Sequence, residues 1–212
     1  MPVAGMMTPV RSETFENLLL DAGAFFVGLN LSSIKTATAL RAAAVAAISD
    51  PTKCLGATRG GGQFVVNAEE RQREVDGVRY RFVGSTARDS VDAYLSTTLL
   101  EVIPGNIKRV LATADVKEPT ATDDHHTEVT MHTRINAEDH IAELTWIGDL
   151  ADGRLVAITL FNALNTAGMN MTYTDKGEAT MPVEFHAHQG SVEDYDTAPF
   201  IVRFFDDATS GG

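Results

Sequence analysis

Hydrophobic and polar residues alternate along most of the chain, and alternation at period two predicts β-strands that bury one face. Such runs lie at residues 25–31, 78–82, 91–102, 156–160 and 179–187. The last run is the cleanest, and its apolar face consists of Ala179, Met181, Val183, Phe185 and Ala187. Pro182 interrupts the polar face, and because proline cannot donate to a ladder we expect an edge or a bulge there.

Turn and helix signals divide the remaining sequence. Asp76-Gly77 and the DLADG sequence at 149–153 predict hairpin turns. Residues 34–48 are rich in alanine and stop at Asp50-Pro51, and residues 104–114 open with proline and carry one apolar face, so both stretches predict helices. The pattern as a whole predicts a mainly β protein, a sandwich or a barrel, with one packed α-helix and a long, partly helical loop early in the chain.

Composition adds limits on size and compartment. A chain of 212 residues with 44% hydrophobic content builds one core, so we expect a single domain over residues 1–212. Its ends lack anchoring residues, which predicts a flexible N-terminal arm at about 1–13 and a C-terminal tail at about 206–212. No apolar run is long enough for a membrane span, and the first residues do not resemble a secretory signal. The single cysteine, Cys54, fits a reducing compartment and a buried position.

The charge is concentrated in one part of the chain. Residues 1–120 carry thirteen Lys and Arg against thirteen Asp and Glu, whereas residues 121–212 carry four against sixteen. The net charge of −12 and all six histidines therefore belong to the second part. An acidic surface repels phosphate, which disfavours a protein that grips nucleic acid.

The glycine-rich sequence LGATRGGGQF at 55–64 invites comparison with a phosphate-binding loop. A P-loop needs Lys and then Ser or Thr after its last glycine, but Gly61 is followed by Gly62 and Gln63. The next residues are strand-like, so no helix N-terminus faces an anion. We therefore interpret Arg59, Gly60, Gly61 and Gly62 as structural: the glycines permit positive φ or close backbone approach, as at an assembly loop that packs against a neighbouring chain.

Catalytic and metal-binding patterns are incomplete. His186 and His188, followed by Glu193, reproduce part of the metal-binding pattern of cupins, which are β-barrel enzymes. The glycines of that pattern are missing, and no histidine follows His188 to supply its second half. No Gly-x-Ser-x-Gly nucleophile elbow occurs, and Cys54 has no histidine near it in sequence. The residues thus favour a protein that is not an enzyme and has no cofactor, with a metal-binding barrel as the alternative.

Several segments in this order resemble the major tail proteins, or tail tube proteins, of long-tailed bacteriophages. They cover residues 18–205 and comprise LGATRGGGQF at 55–64, EVDGV at 74–78, RFVGS at 81–85, LLEVI at 99–103 before a short helix, the section 155–188, and YDTAPFIVRFF at 195–205. The resemblance implies a β-sandwich with a helix on its outside. Six copies of such a protein form a ring and contribute strands to a continuous inner β-barrel.

The resemblance also implies a function in the virion. Rings stack into a tube around a tape-measure protein, tail terminator and distal tail proteins join its ends, and DNA passes through the lumen during ejection. Assembly takes place in the host cytoplasm, no membrane is involved, and no active site is implied. Other tail ring or terminator proteins and secretion-tube subunits share this fold group and remain alternatives.

Two hypotheses about surfaces follow from this resemblance. The segment 32–62 and the N-terminal arm are candidates for contacts between stacked rings. Glu178 and Glu184 are candidates for an acidic lumen face along which DNA slides, and the alternative is that the acidic residues face outward and serve solubility.

Overall fold

The computed structural model describes residues 11, 13–77, 79–120 and 124–207, and the following statements concern those residues. They form a mainly β structure with two α-helices. The strands are β1 (Leu19–Val27), β2 (Thr58–Gln72), β3 (Thr86–Leu99), β4 (Ala114–Lys117), β5 (Glu128–Met131), β6 (Ile141–Leu150), β7 (Leu155–Asn165), β8 (Met181–His186) and β9 (Phe200–Phe205). The helices are α1 (Ala37–Ile48) and α2 (Pro104–Leu111).

Seven strands form one antiparallel sheet in the order β1-β6-β7-β8-β3-β2, with β9 paired to β7. The sheet is not closed into a barrel. It folds over at β7, because residues 155–160 of this strand pair with β9 whereas Leu164 and Asn165 pair with β8. The fold-over creates two halves that face each other. We call β1, β6, β7 and β9 the helix-covered half, and β2, β3 and β8 the arm half.

Each half contributes to a layered core. Between the halves lie Phe25, Leu144, Trp146 and Leu160 from one side and Leu95, Leu99, Val183 and Phe185 from the other. On its opposite face the helix-covered half packs against α1, where the second cluster contains Phe26, Leu40, Ile147, Ala157 and Phe205. The prediction of a mainly β protein is therefore confirmed, whereas the sheet is open rather than a closed barrel and the segment expected to be a partly helical loop contains the regular helix α1.

Most predicted elements have the expected type. Helix α1 begins after Thr36, whose side chain accepts a hydrogen bond from the Ala39 amide. The DLADG sequence is the turn between β6 and β7. Strand β8 alternates as predicted, and the side of β8 on which Pro182 lacks a donor meets no strand, because β7 pairs only with Phe185 and His186. Neither helix within the described residues has the length and apolar character of a membrane span.

Two expectations are wrong. The run 78–82 is no strand over the described residues 79–82: they lie in the connection between β2 and β3, where their side chains are exposed and no strand pairs with them. Asp206 and Asp207, assigned to a flexible tail, are anchored at the start of α1. The Ala37 amide donates to the Asp206 carbonyl, and the Thr38 amide and hydroxyl donate to the Asp207 carboxylate at 2.7 Å each. These hydrogen bonds also lower the pKa of Asp207.

Most of the proposed N-terminal arm (residues 1–10 and 12) and residues 208–212 of the tail lie outside the described residues.

The β2–β3 hairpin extends well beyond the core. Strand β8 pairs with β3 only from Tyr94 to Leu99, so the part of the hairpin before Tyr94 has no third strand. Burial alternates along β3 from Ala93 onward, whereas residues 88–92 are all exposed. We call residues 67–92, which project from the sheet as a two-stranded ribbon with its connection, the arm.

Candidate assembly surface

The glycines predicted as an assembly loop lie inside strand β2, which corrects their assignment to a loop. Gly60 and Gly61 have φ values of +78° and +74°, and the register between β2 and β3 shifts between Thr58 and Gly62. These two residues thus form a bulge at the start of the strand, as the positive φ expected for glycine allows. The space around their Cα atoms is open.

Gly62 has a different role, because a Cβ added there would lie 2.5 Å from the Ser96 carbonyl oxygen. The hydroxyl of Thr97 donates to the Gly61 carbonyl at 2.8 Å. The close backbone approach inferred from the sequence therefore occurs, but within the same chain. The glycines fix β2 against β3 at the point where the hairpin leaves the core.

Arg59 forms an ion pair with Glu178, one of the two glutamates that are candidates for an acidic lumen face. Its guanidinium lies 2.6 Å from the Glu178 carboxylate, and this hydrogen bond lowers the pKa of Glu178. Both side chains are more than half exposed. The pair connects the start of β2 to the segment that enters β8, and Glu178 is thus a paired charge within the chain.

Glu184, the second glutamate, binds His186. The two ring nitrogens of His186 each lie 2.8 Å from a carboxylate oxygen, Nδ1 from Asp92 and Nε2 from Glu184. The ring also stacks on Tyr94 with a centroid separation of 4.9 Å. Partial burial lowers the pKa of His186, but the two carboxylates outweigh that effect and raise it above its ordinary value. The arrangement favours the imidazolium form, which donates from both nitrogens.

The residues of the alternative metal site have separate partners. His188 Nδ1 lies 3.1 Å from the Asn162 carbonyl, and its ring meets that of His140 edge to face. Glu193 lies in a short 3₁₀ turn, where its amide donates to the Ser191 hydroxyl. Among the described residues no group of three or more His, Cys, Asp or Glu is placed to hold a metal ion.

The outward face of the arm half is polar where it covers the core. It presents small or uncharged polar groups from β2 and β3 beside the His186 and Glu184 pair of β8. The uncharged polar residues on this face include Gln63, Asn67, Ser96 and Thr98. A broad and shallow groove runs along it past Gly61, Thr98 and Glu184. Val65, Tyr94 and Pro182 lie on the same face, which is therefore mainly but not uniformly polar.

The edges of the sheet provide a second kind of surface. Strand β2 pairs only with β3, and β9 pairs only with β7, so each has one edge without a strand among the described residues. Exposed apolar side chains accompany these edges, including Val66, Val91, Val202 and Phe204. The sequence pattern indicated strands at β2 and β3 but missed β9 and the arm, and alternation alone does not tell whether a second layer covers the apolar face.

Two concave regions lie along the inner side of the hairpin. A cleft of about 270 Å³ separates β1 from the start of β2, and Leu19, Gly62 and Trp146 line it. A wider groove of about 740 Å³ lies between the arm and the segment 187–200, lined by Val66, Val91 and Phe200. Both concavities lie along the boundary between the two halves of the sheet.

Comparison with known proteins adds no assignment: neither the scan against protein-family models nor the search of curated proteins gives a match to this chain.

Proposed function

We propose that this protein is a structural virion protein, the tail tube subunit of a bacteriophage, which assembles into stacked homohexameric rings. The observation that carries the proposal is the arm. A two-stranded ribbon is marginally stable alone in water and presents unpaired backbone groups along both edges. A second copy of the chain that packs against the arm offsets both costs.

The geometry of the sheet supports a ring. The arm half has two different edges, β2 on one side and, on the other, the part of β8 that does not pair with β7. A contact that joins β2 of one copy to β8 of the next is heterologous, and heterologous contacts close into rings or continue as filaments. If neighbouring arm halves join, their polar outward faces line a continuous inner barrel. Six copies with a net charge of −12 each then surround a channel that repels DNA overall.

The charges on the proposed channel wall suit passage rather than binding. Glu178 is paired with Arg59, and Glu184 is paired with His186. Local pairing leaves few free cations to hold phosphate, so DNA slides without specific binding. The tape-measure, tail terminator and distal tail proteins are the proposed partners, and no catalytic role or cofactor is proposed.

Negative-stain electron microscopy over a range of protein concentrations, together with mass from light scattering, tests the proposal. Hollow tubes of stacked rings support a tube subunit. Rings that never stack favour the alternative of a terminator or another tail ring, and a subunit that stays monomeric at all concentrations, even with tape-measure protein added, contradicts the proposal.

A variant without the arm tests directly whether the arm is needed for assembly. Replacing residues 69–90 with Asn-Gly joins Ala68 to Val91, which are opposite each other in the ladder, through a two-residue hairpin turn. We call the described residues outside the arm the body. The variant retains all core residues of the body, so we expect a folded monomer that forms no rings. Far-ultraviolet circular dichroism and thermal unfolding are the controls for folding. Assembly equal to that of the unmodified protein would show that the arm is not part of the interface.

The lumen assignment has its own test. Glu178→Lys and Glu184→Lys reverse the charge of the proposed wall, and we expect tubes that still form but release DNA more slowly in an ejection assay. Unchanged ejection would support the alternative that these residues face outward and serve solubility.

A further inference from the structure

Strand β2 passes across the helix-covered half, and the arm continues beyond one edge of that half. Gly62 lies over β1, since a Cβ there would approach the Phe25 ring at 3.5 Å. Two residues later the Phe64 ring meets Phe200 of β9 with a centroid separation of 5.5 Å, and Val66 borders the groove beside Phe200. Because β1 and β9 are the opposite edges of this half, β2 crosses it from edge to edge and the arm continues past β9. The strand portion from Asn67 to Gln72 alone reaches about 20 Å further at 3.3 Å per residue.

We call residues 79–83 the tip of the arm, and they have the composition of a protein interface. Tyr80 and Val83 are among the most exposed apolar side chains, at 86% and 102%, and Phe82 is also exposed. Arg79 and Arg81 flank Tyr80, and neither takes part in an ion pair within the described residues. Aromatic residues and arginine are enriched at protein interfaces, and neighbouring exposed apolar side chains mark interaction sites.

The opposite edge of the helix-covered half carries the complementary chemistry. Phe15, 67% exposed, and the half-exposed Leu18, Leu19 and Leu20 precede or begin β1. The carboxylates of Glu16 and Asp21 lie beside them and are exposed, without an ion pair in the described part of the chain. We call residues 15–21 the β1 rim. Apolar side chains flanked by acids on the rim match apolar side chains flanked by arginines on the tip.

We propose that the tip of the arm docks on the β1 rim of a second copy. This inference rests on the proposed function and names the surfaces that meet between neighbours. The tip extends past the β9 edge of its own chain, and the rim lies at the β1 edge, so each copy offers a tip on one side and a rim on the other. The contact is heterologous and repeats around a ring. Arginines of the tip then face Glu16 and Asp21, while Tyr80 and Phe82 cover Leu18–Leu20.

Charge exchange tests this contact. Arg79→Glu with Arg81→Glu places acids on both surfaces, and Glu16→Arg with Asp21→Asn removes acids from the rim. Asparagine is chosen at Asp21 because this residue has a φ of +62°, which asparagine tolerates. We expect each pair alone to raise the protein concentration needed for assembly by about tenfold or more, and all four changes together to restore most of it. Lys117→Glu with Arg134→Glu, outside both surfaces, is the control and should leave assembly unchanged.

A mixture of the two paired variants gives a second readout. The arginine variant keeps an intact rim and the rim variant keeps an intact tip, so we expect an equimolar mixture to associate at a protein concentration at which neither variant associates alone, as measured by light scattering. Thermal unfolding of each variant shows that it is folded. If the unmodified protein assembles but the four changes do not restore assembly and the mixture forms no complex, the docking inference is wrong and the proposed function stands. If the unmodified protein never assembles, the proposed function itself fails.

Discussion

Strand β3 belongs to two regions that differ in what covers them. From Ala93 to Leu99 every second side chain is buried between the halves of the sheet, and β8 pairs with the strand on its far side. From Arg88 to Asp92 the same strand is exposed on both faces and pairs only with β2. One strand therefore serves both as part of a stable core and as an unsupported extension. The body is stabilised by packing within its own chain, whereas the arm has no third strand or second layer in the described part of the chain.

Removing a large core side chain should have the largest effect on the body. Phe185 is fully buried between the halves, so Phe185→Ala should lower the free energy of unfolding by about 4 kcal/mol. Val91→Ala in the arm should change it by less than about 0.5 kcal/mol, because Val91 is exposed. Urea denaturation under conditions that keep the protein monomeric measures both. Equal losses would mean that the arm folds as part of the core.

Glycine substitutions sharpen the comparison at the point where the hairpin leaves the core. In Gly62→Ala the new Cβ meets the Ser96 carbonyl oxygen, and we expect a loss of about 2 kcal/mol because two backbone segments must move apart. Gly84, with a φ of +91°, lies in the connection of the arm with open space around it. Gly84→Ala should therefore strain only the arm and leave the thermal midpoint of the body within the experimental error. A large shift for Gly84→Ala would contradict the separation of the two regions.

His186 joins the body to the base of the arm and adds a pH dependence. Its pKa is raised in the folded protein, so its contribution is fully present below pH 6.5, its ordinary pKa, and is lost as the pH rises through the folded value. His186→Gln should lower the free energy of unfolding by about 1 kcal/mol or less at pH 5.5, and by less at pH 8.5. The exposed His125→Gln variant is the control. A loss that is equal at both pH values would mean that the ring acts by packing on Tyr94 alone.

Limited proteolysis should produce the smallest energetic effect and the sharpest contrast. Trypsin should cut first after Arg79 or Arg81, which lie in the exposed connection of the arm, because cleavage requires local unfolding and little structure opposes it there. The nicked protein should keep the thermal midpoint of the intact one within about 1 °C. Mass spectrometry identifies the cut. First cleavage after Arg109 in α2 or Arg203 in β9 would contradict a rigid body with a detachable arm.

Much of this organisation was predictable from local sequence, as β8 and α2 illustrate. Alternation from Ala179 to Ala187 gave the strand and its buried face, and Pro104 with one apolar face gave the helix. The arm was not predictable, because its apolar residues alternate as they do in the core and the difference lies in whether a second layer covers them. The ion pair between Glu178 and Arg59 was also hidden, and so was the second carboxylate at His186, since Arg59 and Asp92 come from strands far away in sequence. The prediction that Gly60, Gly61 and Gly62 permit positive φ or close backbone approach is confirmed. The position of the bulge and the contact with Ser96 could not be predicted, because they result from the pairing of β2 with β3.

The position of Trp146 allows association to be followed by the intrinsic fluorescence of the protein. It is the only tryptophan of the chain, and it lines the cleft between β1 and β2 next to Leu19, with its indole N–H donating to the Ala22 carbonyl at 2.9 Å. Indole emission shifts to shorter wavelength when nearby water is displaced, so covering the β1 edge should change the fluorescence of the unlabelled protein. The kinetics of association between copies are then measurable by stopped flow without any attached dye.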